Sequence, residues 1–513
     1  MLTIYEKESQ YESVDATYAE IKSYVEGAVG CEALQDVELT IFRRVLMLGR
    51  GLLEAFVEQS GTGYEVGNPP LSEVGDPMAY KGTVDSPYVS IFGEIRISRA
   101  AYAHPDGGRV YPLDAQLNLP GHKYSYVLLK WLQASSADAD FRSAVNRFNE
   151  IFDFSFFPEL PQRQGMPIAD YVEPFYDQTG TLSPDTEGSH IAISADGKGV
   201  RILKSEREDA QEEEAKPRRG KGEKPGIKKE AVVVVDFSFY PEARDAKEIV
   251  KGLLNQFTKQ EKENAKHARQ QRREEGIGDP RIPHNKHVFA TLDGKKAAFD
   301  HLLDHVEKRD PQGQKPLIAL FDGDPYLEDR LCEALEARTL THRLDAVILD
   351  IIHVSEYLWD VGTALYGEKS AQRIHWVKGK LYALLESKVG YVIGGLKQIR
   401  TKKPLTPHQS KAIQKTITYF ENHRHMMDYA TYLQKGYPIA TGTVEGTCGS
   451  LVKDRMEHSG MRWSIAGAQA VLDQRAVLKN GDWDDFFDYY IDAERNRLYT
   501  TVYQRSALYK DAA

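Results

Sequence analysis

Ser189-His190-Ile191-Ala192-Ile193-Ser194-Ala195-Asp196-Gly197-Lys198-Gly199-Val200 is the stretch on which the reading of this chain turns. Ile191, Ile193 and Ala195 alternate with residues of other character, the period-2 pattern of a strand with one buried face. The run reaches a carboxylate and then two glycines, which predicts that the chain leaves the sheet in a turn after Asp196. An acid at the mouth of a sheet can hold Mg²⁺, which prefers a few hard oxygen ligands. It can equally open a turn. Two more carboxylates in comparable settings favour the first reading.

The second follows Lys315-Pro316-Leu317-Ile318-Ala319-Leu320-Phe321-Asp322-Gly323-Asp324, again an apolar strand ending in Asp-Gly. Asp322 closes the alternation of Ile318 and Leu320. Asp324 is its rival, because Gly323 leaves the next direction open. A helix is expected from Tyr326 to about Ala337, then a third apolar strand over Asp345–His353. Ala231–Phe237 reads as a further strand, buried on both faces. Strand, helix, strand with polar residues at strand ends implies an α/β core with its chemistry at the carboxyl edge of the sheet.

The third carboxylate lies in Gly442-Thr443-Val444-Glu445-Gly446-Thr447-Cys448. Val444, Cys448, Leu451, Val452 and Met456 form one apolar helical stripe. Glu445 stands beside it in the first turn, a place the helix dipole favours on its own account. Lys453, Arg455, Arg462 and Trp463 follow; arginines and an indole near a metal site suit phosphate clamping and base stacking.

Composition bounds these readings. The chain has 513 residues, 28% charged, with a formal net charge of −10, an ordinary globular composition of about two to four domains. The negative balance argues against a whole-surface nucleic-acid binder but leaves room for a local basic groove. No stretch has the roughly 18 apolar residues of a membrane span, and the start has no basic and then apolar pattern of a signal peptide. Cys31, Cys332 and Cys448 are too scattered for a disulfide framework or a zinc knuckle. A reducing cytoplasm and no membrane partner are expected.

Helical spacing runs from about Val14 to Glu58, and Tyr88–Arg99 reads as a β-hairpin turning near Phe92-Gly93. Tyr124–Leu132 and Phe141–Ile151 are helical, with another helix from about Ile168; this is compatible with a helix-turn-helix reader or with any helical hairpin. Lys204–Glu230 is a charged loop whose basic half, with Arg218 and Arg219, can lie along a phosphate backbone or serve as a solvated tether. Val354 to about Tyr437 is helical throughout.

Three blocks together resemble a family: Asp196-Gly-Lys-Gly, Phe321-Asp322-Gly-Asp324, and Gly442-Thr-Val-Glu445-Gly-x-Cys448 with Lys453-Asp454-Arg455-Met456 and Gly460-Met461-Arg462-Trp463-Ser464. They look like the insertion-sequence transposases of the bacterial ISKra group, DDE enzymes of the Mutator-like lineage. Asp350-Ile-Ile-His353 matches the Asp-x-x-His element of that lineage. The resemblance extends from the hairpin onward; the N-terminal residues and Lys204–Glu230 match no motif.

The resemblance implies an α/β, ribonuclease-H-like core. That core would cover 184–353 and 438–480, interrupted by a helical insertion at 354–437. Before it would come a helical region (1–80), a hairpin segment (81–122) and a helical DNA-binding candidate (123–183), with a helical tail (481–513) at the end. Asp196, Asp322 and Glu445 would be the catalytic, metal-binding triad, with Asp350, His353 and Asp324 accessory. Two Mg²⁺ ions, or Mn²⁺ in their place, about 3.5–4 Å apart would activate water or a 3′-hydroxyl and stabilise the leaving oxygen. The substrates would be double-stranded DNA, as terminal inverted repeats and as target. Holding two DNA ends makes a homodimer the physical expectation. The rivals are an inactive DNA-binding derivative of a transposase, and an aspartyl phosphatase with Asp322 as nucleophile and Asp324 as acid. The second leaves Asp196 and Glu445 unexplained.

Overall fold

The computed structural model describes residues 11–64, 67, 69–71, 76–103, 108–178, 187–206, 228–274, 283–457 and 460–500. Arg218 and Arg219, and most of the charged loop around them, lie outside the described residues. The chain is α/β and divides into two compact units, Met1–Asp177 with Gly481–Ala513, and Gln178–Asn480. Among the described residues no helix is long and apolar enough to cross a membrane.

The first unit opens with two helices, α1 (Glu12–Ala28) and α2 (Leu34–Gln59). A three-stranded antiparallel sheet follows: β1 (Ala79–Ser90), β2 (Gly93–Ala103) and β3 (Arg109–Val110). The hairpin expected over Tyr88–Arg99 is therefore longer. Gly82, Asp85 and Pro87 hide the early part of β1 from a reading by apolar alternation, yet Pro87 pairs with Arg96 and Asp85 with Ser98. Ile95 and Ile97 of β2 bury against Val57 of α2 together with Leu113 and Leu119.

Helices α3 (Tyr126–Asp138), α4 (Phe141–Phe152) and α5 (Leu160–Ala169) complete this part. Ser125 and Asp140 accept hydrogen bonds from Leu128 N and Ser143 N, so each caps a helix start. Where one helix is expected from about Ile168, two short ones stand: Leu160–Ala169, with Pro161 in its first turn where the missing N–H costs nothing, and then Val172–Gln178. The outer face of α4 carries Arg142, Asn146 and Arg147. Helix Trp483–Arg495 belongs to this unit, with the Trp483 indole donating to the Lys130 carbonyl at 3.3 Å.

The second unit is built on a five-stranded sheet. Its strands are β4 (His190–Arg201), β5 (Lys228–Phe239), β6 (His284–Thr291), β7 (Leu317–Phe321) and β8 (Leu344–Leu349), in spatial order β6-β5-β4-β7-β8. β5 runs antiparallel to both β4 and β6, while β4, β7 and β8 are parallel. Ala231–Phe239 is buried residue after residue, which accounts for its unbroken apolar sequence.

The expected turn after Asp196 does not form. β4 continues to Arg201, opposite Lys228–Glu230 of β5. Gly197 and Gly199 serve this crossing instead: a Cβ at Gly199 would come within 2.7 Å of the Lys228 side chain, and one at Gly197 would strike Glu230. β8 also differs from expectation. It ends at Leu349, and Ile351, Ile352 and His353 open a helix because the Asp350 carboxylate accepts from Ile352 N at 2.8 Å.

Helices α6 (Ala246–Leu253) and α7 (Lys259–Glu274) lie between β5 and β6, α8 (Lys295–Arg309) between β6 and β7, and α9 (Pro325–Ala337) between β7 and β8. Phe299, Leu302, Leu303 and Val306 form the buried face of α8. After β8 come α10 (Ile351–Tyr366), α11 (Ala371–Leu385), α12 (Val389–Lys402) and α13 (Pro407–Asn422). α14 (Gly442–Thr447) and α15 (Ile465–Asn480) close the unit. α15 also covers the edge strand: Gln469 bonds Leu292 N and Ala290 O at 2.8 and 3.0 Å, and Asn480 accepts from Val288 N at 2.8 Å. Backbone groups that would otherwise invite another strand are satisfied in this way.

Candidate metal centre at the carboxyl edge of the sheet

Three acids reach one edge through strand register. The last paired residues of β4 and β7 are Ser194 and Leu320, and Asp196 and Asp322 each stand two positions further on. Between β7 and β8 the pairing ends at Phe321 and Leu349, and Asp350 N donates to Phe321 O at 2.9 Å. Parallel neighbours stand about 4.8 Å apart, so Asp322 and Asp350, just past the ends of β7 and β8, lie level with Asp196, which stands inside β4 just past its parallel pairing with β7.

Glu445 is brought to the same edge from α14. Ile351 N donates to Ile439 O at 2.9 Å, tying the segment before α14 to the start of α10. Thr441, at the N-terminus of α14, donates its hydroxyl to Asp350 at 2.5 Å and lies 3.5 Å from the Glu445 carboxylate four residues on. His353 sits between the two acids, its Nδ1 3.0 Å from Asp350 and 3.3 Å from Glu445. Asp350, His353 and Glu445 thus form a tight set able to hold a metal ion. Asp196 and Asp322 are outside that set but act on it electrostatically.

The protonation pattern reports this crowding. The hydrogen bond to Asp350 raises His353 to about 9 against the opposing effect of burial, and the charges of Glu445 and Asp322 add to the rise. Burial raises the Asp322 carboxyl; the Asp324 amide opposes the rise and the Asp196 charge adds to it. Glu445 is raised by burial and by Asp350, with His353 opposing, and Glu356 and Asp196 add to the rise. Burial raises the Cys448 thiol as well, and Asp196, its hydrogen-bond partner, raises it further. Asp196 therefore bears on Asp322, Glu445 and Cys448 alike. Hard oxygen donors that repel one another across an open edge suit a hard divalent cation.

Asp322 and Asp324 are told apart by their partners. Asp324 caps α9 by accepting from Tyr326 N at 2.9 Å, and its other oxygen pairs with Lys295. Among the described residues the Asp322 carboxylate accepts one hydrogen bond, from the Asp324 amide at 3.0 Å. Its carbonyl is held by the Tyr419 hydroxyl of α13 at 2.5 Å, and Tyr419 stacks on Tyr357 at 4.0 Å. Gly323 has φ +96°, and a Cβ there would lie 2.9 Å from the Tyr419 ring, so only glycine lets the chain turn beneath that tyrosine.

The basic and aromatic residues expected to meet DNA separate. Lys453 and Arg462 are exposed. Arg455 and Trp463 are buried, which overturns their expected place on a DNA-facing surface. The Arg455 guanidinium lies 4.9 Å from the Trp463 ring, and the indole donates to Met456 O at 3.2 Å. Trp463 N also donates to Arg201 O at 3.0 Å, and Leu203 N to Trp463 O at 2.8 Å, so this residue extends the end of β4. The apolar stripe through Val444, Cys448, Leu451, Val452 and Met456 is buried. Its helix is interrupted, however, by a π-helical segment over Cys448–Lys453, a bulge found often at functional sites.

A second polar cluster lies inside the sheet. Asp236 of β5, His287 of β6 and His305 of α8 bring ligand atoms close enough for a metal. Here the charges already have partners. Arg309 bonds Asp236 and, at 2.7 Å, Glu187, and His305 Nδ1 lies 2.9 Å from Asp236. Burial would raise Asp236, but His305, His287 and Arg309 hold it well below the usual carboxylate range.

Reading the residues in order missed Thr441 and Tyr419. Thr441 was open to discovery as a hydroxyl residue at a helix start, four before Glu445; nothing around Tyr419 marks it. A comparison with protein-family models and with curated proteins found no match to this chain.

Proposed function

We propose that this chain is a DDE transposase with a ribonuclease-H-like core, cutting DNA at element ends and joining the 3′-hydroxyl to target DNA. The helices from Val354 to Tyr437 are then an insertion in that core. The observation that supports the reading is that Asp196 and Asp322, on neighbouring parallel strands, and Glu445, on a helix, face one edge of the sheet, near enough for the Asp196 charge to raise both other carboxyls.

Asp196, Asp322 and Glu445 are the residues that would hold Mg²⁺ or Mn²⁺. The bound cation would supply an activated oxygen nucleophile and neutralise charge at the phosphate. Asp350 holds the proton on His353 Nδ1, and the imidazolium then faces the edge as a fixed cation able to orient a phosphate oxygen. Tyr419 fixes the backbone that carries Asp322. Lys453 and Arg462 are the exposed cations of this region available to the DNA backbone. The substrates in this reading are double-stranded terminal repeats and target DNA, handled by a homodimer.

The test is Asp196→Asn, assayed on supercoiled DNA carrying the chain's own flanking sequences with Mg²⁺. Binding retained with cleavage abolished supports the enzyme; unchanged cleavage removes Asp196 from the site. Cleavage absent from the wild-type chain as well would favour a DNA-binding derivative.

A further inference from the structure

The first unit carries an exposed apolar face with a definite order. On α2, Phe42 (40% exposed), Val45 (47%), Leu52 (46%) and Phe56 (57%) lie in one row at alternating steps of three and four residues through Gly49, the spacing of a coiled-coil seam. A Cβ at Gly49 would fall 2.6 Å from the Phe92 ring, so that ring fills the middle of the row. The row is nearly symmetric about Gly49. A phenylalanine stands seven residues to either side, and a branched aliphatic stands four before and three after.

α1 adds to the same face. It runs antiparallel to α2, as Gln59 Nε2 donating to the Tyr11 hydroxyl at 2.7 Å and Arg44 donating to Glu20 O at 3.1 Å show. Val14 meets Gly51 in the seam between them. Tyr18 (55% exposed) and Val25 (38%) are one heptad apart. They lie about a quarter-turn from that seam, in the same rotational sense as the α2 row. In an antiparallel pair that sense brings both rows to one side.

We propose that this face is the contact between two copies of the chain, α2 crossing its two-fold mate antiparallel with the axis near Gly49. A two-fold contact must be self-complementary, residue i meeting j and j meeting i. The near-symmetric row meets that demand: Phe42 of one copy falls opposite Phe56 of the other, and Val45 opposite Leu52. The exposed parts of these side chains amount to roughly 500 Å² per chain, or about 1,000 Å² for the pair, the lower bound of a specific interface. The inference does not depend on the nuclease reading, because every residue in it belongs to the first unit.

The experiment is sedimentation velocity of the full chain over a concentration series. The wild type should sediment at twice the 57.9 kDa chain mass. Leu52→Glu and Val45→Lys should each weaken association about a hundredfold by placing a charge against apolar groups. The double variant V45K/L52E should restore the dimer, because the introduced lysine of each copy then faces the introduced glutamate of the other. Circular dichroism on the same samples separates lost association from lost fold. A wild-type monomer at tens of micromolar, as would result if another segment of the chain covered the face, overturns the proposal. So does a dimer that either single charge leaves intact, or single-variant loss with no rescue in a folded double variant.

Discussion

The two Asp–His clusters of the second unit use nearly the same residue types and differ in what faces them. Around Asp236, two histidines, Arg309 and Glu187 meet in the interior of the sheet, and the guanidinium bridges both acids. Around Asp350, the histidine is the one cationic side chain in contact with the acids among the described residues, and Asp196, Asp322 and Glu445 add negative charge at an open edge. Residue identity alone therefore says little about metal binding. A cluster whose charges are already matched is a brace, whereas one with surplus carboxylate facing solvent has a reason to take up a cation.

That contrast can be broken from either side. The largest effect is expected in catalysis: Asp322→Asn should lower Mg²⁺-dependent DNA cleavage by more than about a hundredfold. The same change at Asp324 should leave most activity, since that side chain caps α9 and pairs with Lys295. Equal loss in both variants, measured on one substrate, would erase the distinction between them.

Next in size is the brace. Arg309→Met leaves Asp236 and Glu187 buried without their counterion and should cost about 3–5 kcal/mol in urea unfolding. Added Mg²⁺ should not recover that loss. Recovery of the Arg309→Met variant by a divalent ion would show that the interior cluster is a metal site after all.

Smaller again is the pH dependence. His353 is raised from its ordinary 6.5 to about 9 in the folded chain. Its contribution to stability is therefore complete below pH 6.5 and is lost as pH rises through about 9. Allowing for its partial exposure, the contribution should be about 1–2 kcal/mol. Comparing His353→Gln with the wild type between pH 6 and 10 in metal-free buffer measures it; identical slopes would remove the imidazolium from the site. The smallest effect is expected at Thr441. Thr441→Val deletes one hydrogen bond to Asp350 and should cost about 1 kcal/mol, read as a fall in thermal midpoint.

Much of this was open to reading in order. The alternation of Ile191, Ile193 and Ala195, the apolar run through β5 and the strand ending at Asp322 each follow from local periodicity, which needs no knowledge of neighbours. The boundaries went astray where a partner decides them. Gly197 and Gly199 look like a turn until Glu230 and Lys228 lie across them, and His353 looks like strand until Asp350 caps a helix. Arg455 and Trp463 look like ligands for DNA until they are seen buried against each other.

What the order of residues determined by itself is the set of elements and the acids they carry, because backbone periodicity and capping act over a few residues. Only the tertiary structure decided which acids share an edge, since that depends on the register of β4, β7 and β8 across more than a hundred residues of chain. It also decided which charges are neutralised, because a counterion such as Arg309 or Lys295 is chosen by packing and not by proximity in sequence.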